Sequence, residues 1–292
     1  MDSVLNFQNV LSFKPHASYI PHIKQSPFNN KFVATCSFDK QVKIWTIEYT
    51  NWTLIRTYSI HSDEVFGLEW IDNDTIASSS RINTLVWSLS TGLTKMIIVG
   101  AGSFALKLLN DDLNLAIGLL SGQIDVYNIK DGSLMVSLKG HSMFINDIAL
   151  ISKSLIASSS QDKTIRIWDL TKNTTKFILA GHFGDVRGLK LISLDILASA
   201  SSDSTIKLWN ITSGILMRTL NGHTSNIQWS LDLLNDGQTL VSGSWDHTIK
   251  LWNWTSGQYL NSLDTGVQIY SLTKIKSNRF IFYLFILPLS HF

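Results

Sequence analysis

The chain has 292 residues, is 45% hydrophobic, and carries 24 basic against 22 acidic residues, a net charge of only +2. That balance argues against a strong sequence-independent grip on nucleic acid, which needs a concentrated basic face, and no run of five like charges occurs. The single cysteine, Cys36, cannot form an internal disulfide, which predicts a reducing compartment.

The opening MDSVLNFQNV lacks a basic n-region and a long apolar h-region, so it does not read as a signal peptide. The expected location is cytoplasmic, with the nucleus as the alternative. FQNVLSF, Phe7 to Phe13, reads as a strand within about residues 5–14. From there tryptophan recurs at Trp45, Trp87, Trp168, Trp209 and Trp252, with Tyr127 in the gap, at steps of 42, 40, 41, 41 and 43 residues. Four of these marks close similar phrases: FDKQVKIW, QDKTIRIW, SDSTIKLW and WDHTIKLW. A period of about 40 to 45 residues is the signature of a propeller built from four-stranded blades. Seven steps of about 41 residues take roughly 287. The repeat therefore fills residues 1–292 as one all-β domain and leaves no room for a separate catalytic domain.

One blade can be read between residues 133 and 169. SLMVSL, INDIAL, LIASSS and TIRIWDL are short strand-like runs separated by Gly, Asp, Asn and Ser. Apolar residues crowd the inner runs, as expected for sheets covered on both faces. The turns STG (90–92), KDG (130–132), TSG (212–214) and TSG (255–257) each end in glycine, which accepts positive φ without steric cost. Asn-x-Thr sequons begin at Asn51, Asn173, Asn210 and Asn253. They fall mostly in these turns, where Asn and Thr are ordinary turn chemistry rather than glycan acceptors.

The phrases resemble those of the WD-repeat β-propeller family, over about residues 5–272 and most closely from 140 to 253. The closing dipeptide is WD only at Trp168-Asp169; elsewhere it is WT, WS, YN, WN and WN. His141, Ser158 and Ser160, Asp162 and Trp168 recur as His182, Ser199 and Ser201, Asp203 and Trp209. They recur again as His223, Ser242 and Ser244, Asp246 and Trp252, and a first copy reads His16, Thr35 and Ser37, Asp39 and Trp45. The resemblance implies a buried network in which the loop histidine meets the turn aspartate and a strand hydroxyl joins the indole N–H. Which hydroxyl takes part is open. Buried donors and carboxylates need such partners. A Ser-His-Asp hydrolase needs one triad with an exposed nucleophile, whereas four copies at one period point to architecture.

Blade two keeps His61 and Trp87 but has Arg81 where aspartate is expected, and a guanidinium is no acceptor. Blade three has Gly100, Ser121 and Tyr127 for the histidine, aspartate and tryptophan. These two blades are expected to be the softest complete ones. Toward the end, GQYLNSL, VQIYSLTKI and RFIFYLF start a further repeat whose tryptophan would fall near position 293. Leu287 and Pro288 stand where a third strand is needed, and Pro cannot donate within a sheet. The expectation is seven blades with the last incomplete, Phe7 to Phe13 supplying its outer strand and about 273–292 irregular. The alternative is six blades closing without residues 264 to 292. FIFYLFILPL, Phe280 to Leu289, is too short to span a bilayer, which takes about 20 residues.

The resemblance places the histidine loops and aspartate turns on one rim around a central channel. Residues beside them are expected at solvent: Tyr19, Phe38, Glu64, Phe66, Phe144, Gln161, Asp185, Arg187, Gln228, Trp245 and Tyr270. Aromatic residues and Arg anchor protein interfaces. The expected function is a non-catalytic scaffold or adaptor that docks a protein or peptide on this rim. No cofactor, metal, membrane or small-molecule substrate is expected. A scaffold subunit of a ribonucleoprotein is the alternative, disfavoured by the near-neutral charge. A propeller enzyme is a third class, but no HExxH or CxxC motif and no paired carboxylates stand out.

Overall fold

The computed structural model describes residues 10–13, 16–48, 51–109, 113–275 and 279–284. All regular structure among them is β. After β1 (Val10–Phe13), blade one comprises β2 (His22–Gln25), β3 (Phe32–Cys36), β4 (Val42–Glu48) and β5 (Asn51–Tyr58). Blade two comprises β6 (Val65–Trp70), β7 (Thr75–Ser80), β8 (Asn83–Ser88) and β9 (Thr94–Val99). Blade three holds β10 (Ser103–Leu108), β11 (Asn114–Leu119), β12 (Ile124–Asn128) and β13 (Leu134–Leu138). Blade four holds β14 (Ile145–Ser152), β15 (Leu155–Ser160), β16 (Thr164–Asp169) and β17 (Thr174–Ala180). Blade five holds β18 (Val186–Leu191), β19 (Ile196–Ser201), β20 (Ile206–Asn210) and β21 (Ile215–Leu220). Blade six holds β22 (Ile227–Leu233), β23 (Thr239–Ser244), β24 (Thr248–Asn253) and β25 (Gln258–Asp264). Two strands follow, β26 (Ile269–Ile275) and β27 (Arg279–Leu284).

The expected count of seven blades is corrected to six four-stranded ones. The remaining strands do not form a separate sheet: β26, β27 and β1 continue the sheet of blade six, joined at Trp229↔Ser271. GQYLNSL becomes β25, the outer strand of blade six. The N-terminal strand is the outermost of these three, but it lies parallel to β27, pairing Val10 with Phe280 and Phe13 with Tyr283. All adjacent strands within the six blades are antiparallel. The alternative count of six blades is the one observed, but closure without residues 264 to 292 is corrected, because β26 touches both β22 and β2 and so stands between the first and last blades. Residues 1–9, Leu287 and Pro288 lie outside the described residues.

Local chemistry explains the elements. The four predicted turns carry Gly92, Gly132, Gly214 and Gly257 at φ 76°, 76°, 73° and 78°. Asn210 Oδ1 accepts from the backbone of Thr212 and Ser213, and Asn253 Oδ1 from that of Ser256, which is the turn role expected of these residues. Second strands such as TIASSS and ILASAS are wholly buried and rich in small residues, which lets neighbouring blades approach. Outer strands such as β21 are mostly exposed. The core is not one central mass but a series of layers between successive blades. Trp87 packs with Ile44 and Tyr58 of blade one, and Trp209 with Ala157 and Ile167 of blade four.

The inner strands of neighbouring blades are stitched together around the channel by side chains. Glu69 Oε1 accepts from Leu108 N, Asp147 Oδ2 from Leu189 N at 2.8 Å, and Asp232 Oδ2 from Lys274 N at 2.9 Å. Ser271 Oγ accepts from Ile23 N at 3.3 Å, which closes the ring. Charges alternate along the same circle: Glu69 bridges Lys24 at 2.6 Å and Lys107 at 2.9 Å, and Asp232 pairs with Lys190 at 2.6 Å. Burial alone would raise Glu69, but Lys107 and Lys24 hold its carboxyl down to about 2. Lys24, Lys107, Asp147, Lys190 and Asp232 border a polar channel cavity of about 360 Å³.

Candidate functional site

Each regular blade carries one closed network. In blade four His141 Nδ1 meets Asp162 at 2.7 Å, its Nε2 meets Ser158 Oγ at 2.8 Å, and the Trp168 indole donates to the same Oγ at 2.8 Å. The same atoms pair at His182, Asp203, Ser199 and Trp209. They pair again at His223, Asp246, Ser242 and Trp252, and at His16, Asp39, Thr35 and Trp45. The open choice of hydroxyl is thereby resolved. The first one joins the network, while Ser37, Ser160, Ser201 and Ser244 cap the turn by accepting from the aspartate's own N–H.

The connectivity is that of a catalytic triad, yet Ser158, Ser199 and Ser242 are completely buried and their oxygen already accepts an indole proton. A neutral histidine satisfies every atom: Nδ1–H donates to carboxylate, and Nε2 accepts from the hydroxyl. Burial lowers His16 and His223 despite the raising pull of Asp39 and Asp246. Burial would raise Asp162, but hydrogen bonds from His141 and Thr164 hold it well below the usual carboxylate range.

Blade two departs differently from expectation. Counting back from Trp87 put Arg81 at the aspartate position. Its turn, however, is one residue shorter, and Ile82 N takes the serine cap that aspartate takes elsewhere. Arg81 instead ion-pairs with Glu64 and lies over the Phe66 ring at 5.3 Å. His61 keeps Ser78 at 2.7 Å, but its buried Nδ1 has no partner among the described residues. In blade three the exchange is wholesale: Ile117 fills the hydroxyl's place in register and is fully buried beside Tyr127. Histidine, hydroxyl, aspartate and indole are all replaced there, so no member of the network is left behind. Leaving one partner of a buried pair costs more than removing both. His61→Leu strands only the Ser78 hydroxyl while removing the unpaired Nδ1, and should cost about 1 kcal/mol; His182→Leu should cost about 3 kcal/mol by urea unfolding, because both Asp203 and Ser199 lose their partner.

Protonation gives a second handle. Burial takes His61 down to about 4 and His22 to about 3. Both lie below the unfolded value of 6.5, so their contribution to stability is complete above that pH and is lost as pH falls through these values. Asp147 runs the other way: burial raises it to about 6, so it favours the fold at acid pH and less so above. The net expectation is a loss on the order of 2 kcal/mol between about pH 7 and pH 4, smaller in His61→Leu. Urea titrations at the two pH values check this.

The rim residues gather into two arcs. Trp245, Tyr270, Tyr19, Phe38, Phe66, Phe104 and Phe144 form a row of touching rings, with successive centroids 5.3, 4.7, 5.8, 4.9, 4.4 and 6.0 Å apart. The other side of the mouth carries Gln161, Asp185, Arg187 and Gln228. Asp185 pairs with Arg187 at 2.7 Å, and Arg187 lies over Trp229. Not all point to solvent as expected: Phe66 and Gln228 are buried at 4% and 2% exposure. Tyr19, Phe38, Glu64, Gln161, Asp185, Arg187, Trp245 and Tyr270 are intermediate, and Phe144 is 38% exposed. Phe66, Phe104 and Arg187 are the bulged second residues of their inner strands, where register shifts between Val65/Gly67, Ser103/Ala105 and Val186/Gly188. A bulge re-aims a side chain. Counting from histidine missed Phe104, because blade three has no histidine to count from. The bulge offset finds it. Phe183, 86% exposed beside His182, was also missed.

Four-stranded sheets around a channel, pinned by repeated His, hydroxyl, Asp and Trp, define a repeat-built β-propeller. The sequence model of the WD domain, G-beta repeat family matches residues 7–46, 132–169, 173–210 and 214–253, just over half of the chain. The chain belongs to this WD-repeat family. It is similar to WD repeat and SOCS box-containing protein 1 of Xenopus tropicalis, 30% identical over 104 residues covering 34% of this chain and 25% of that protein. It is also similar to Protein transport protein sec13 of Aspergillus clavatus, 26% identical over 164 residues covering 54% and 49%. Nuclear distribution protein nudF of Aspergillus niger is 29% identical over 170 residues covering 47% and 37%. The chain thus spans about a quarter to a half of the length of these relatives.

Proposed function

We propose that the chain is a non-catalytic scaffold that docks a protein or peptide on the channel rim, acting in the cytoplasm or nucleus. The observation that carries this reading is the unbroken row of aromatic rings from Trp245 to Phe144, set on a periodic scaffold. Aromatic anchors supply large contact area at little conformational cost. The triad-like networks support a structural role, since their hydroxyls are sealed and already occupied. Relatives named for a SOCS box, for protein transport and for nuclear distribution, rather than for a reaction, agree with it. The test is affinity capture from the source cell with wild-type protein and with Phe38→Ala/Trp245→Ala. Partners retained by wild type and lost by the folded double variant support rim docking; partners retained equally by both count against it.

A further inference from the structure

We propose that the rim selects an uncharged peptide segment with an aromatic or long aliphatic anchor, held through its backbone amide rather than through charge. This rests on the docking function above and states what kind of partner the site takes.

The charged residues among those predicted on the rim are paired, each with a neighbour. Arg81 pairs with Glu64, and Arg187 with Asp185 at 2.7 Å. Each turn aspartate of blades one, four, five and six is closed by its histidine. At Glu64, Arg81, Asp185 and Arg187 an acidic or basic motif would have to break an existing pair to make a new one. Among the residues predicted on the rim, three buried polar atoms have no partner among the described residues: the Trp245 indole N–H, the Arg187 Nε–H and Gln161 Oε1. Native structures leave few such atoms, and each calls for an explanation. They belong to blades six, five and four, the side of the mouth that the aromatic arc leaves open. Trp245 begins that arc, and Gln161 N is bonded to the carbonyl of Phe144, which ends it. Two donors and one acceptor across the gap in an apolar arc match the chemistry of a peptide group, which presents one carbonyl and one N–H. The side chain next to that group would lie on the rings.

The test uses the purified full chain and a phage-displayed library of random short peptides. Enriched sequences should be uncharged and carry an aromatic or long aliphatic residue, and their affinity should change less than about twofold between low and high salt. Trp245→Phe keeps a ring and removes the N–H; it should weaken binding roughly three- to tenfold, as should Gln161→Leu. Charged consensus sequences with steep salt dependence, or affinity unmoved by both variants, would overturn the amide reading while rim docking stands. If no enriched peptide depends on Phe38 or Trp245, rim docking itself fails, and this inference with it.

Discussion

Ser199→Val should lower the unfolding free energy by about 4 kcal/mol, although it swaps one small side chain for another of similar size. Ser199 Oγ accepts the Trp209 indole proton and meets His182 Nε2, each at 2.8 Å, in a site with no solvent exposure. Valine strands both groups, and an unsatisfied buried polar atom costs about 1–3 kcal/mol. The fold itself contains the control. Ile117 occupies the same register in blade three and is harmless there, because neither histidine nor tryptophan faces it. Ile117→Ser should therefore not stabilise the chain, since it buries a hydroxyl among apolar neighbours. Urea unfolding of the two variants measures the difference. A cost below about 1 kcal/mol for Ser199→Val would mean that the network is not held together at its hydroxyl.

The double variant Phe38→Ala/Trp245→Ala should weaken a captured partner by about a thousandfold, since truncating a buried aromatic anchor typically costs 2 kcal/mol or more. Both side chains are only partly buried, and they lie on the same row of rings with Tyr19 and Tyr270 between them. Neither belongs to a His, hydroxyl, Asp and Trp network, so the loss of folding stability should stay far smaller than for Ser199→Val. Calorimetric titration with the partner, alongside thermal unfolding, separates the two effects. Binding unchanged in a folded double variant would place the interface elsewhere, for instance on the exposed outer strand β21.

Much of this was legible because repetition makes local chemistry visible. Four copies of one constellation marked the residues of the networks, the resemblance to WD repeats implied their pairing but for the hydroxyl, and the turn glycines fell where positive φ requires them. What escaped notice was whatever occurs once per blade without a neighbouring mark. Lys24, Glu69, Lys107, Lys190 and Asp232 stand opposite Ala34, Ala77, Ala116, Ala198 and Val241, a common register that lines the channel. In sequence each looks like an isolated surface charge, separated from the next by steps of 45, 38, 83 and 42 residues. Arg81 was misplaced because counting from Trp87 ignores the shortened turn. The blade count was misjudged because strand number follows from pairing: β26 and β27 look like the start of a new sheet, but a single bridge at Trp229 ties them to blade six. Phe104 shows the cost of depending on a landmark that one blade has lost.

The most direct measurement is solvent exchange of the indole protons in an NMR spectrum of the folded chain. If the repeating tryptophans hold successive blades together, the N–H groups of Trp45, Trp87, Trp168, Trp209 and Trp252, each bonded to a buried strand hydroxyl, should all exchange far more slowly than that of Trp254, whose hydrogen bond to Gly237 lies at the surface. Rapid exchange at any of the five in the native protein would contradict that role.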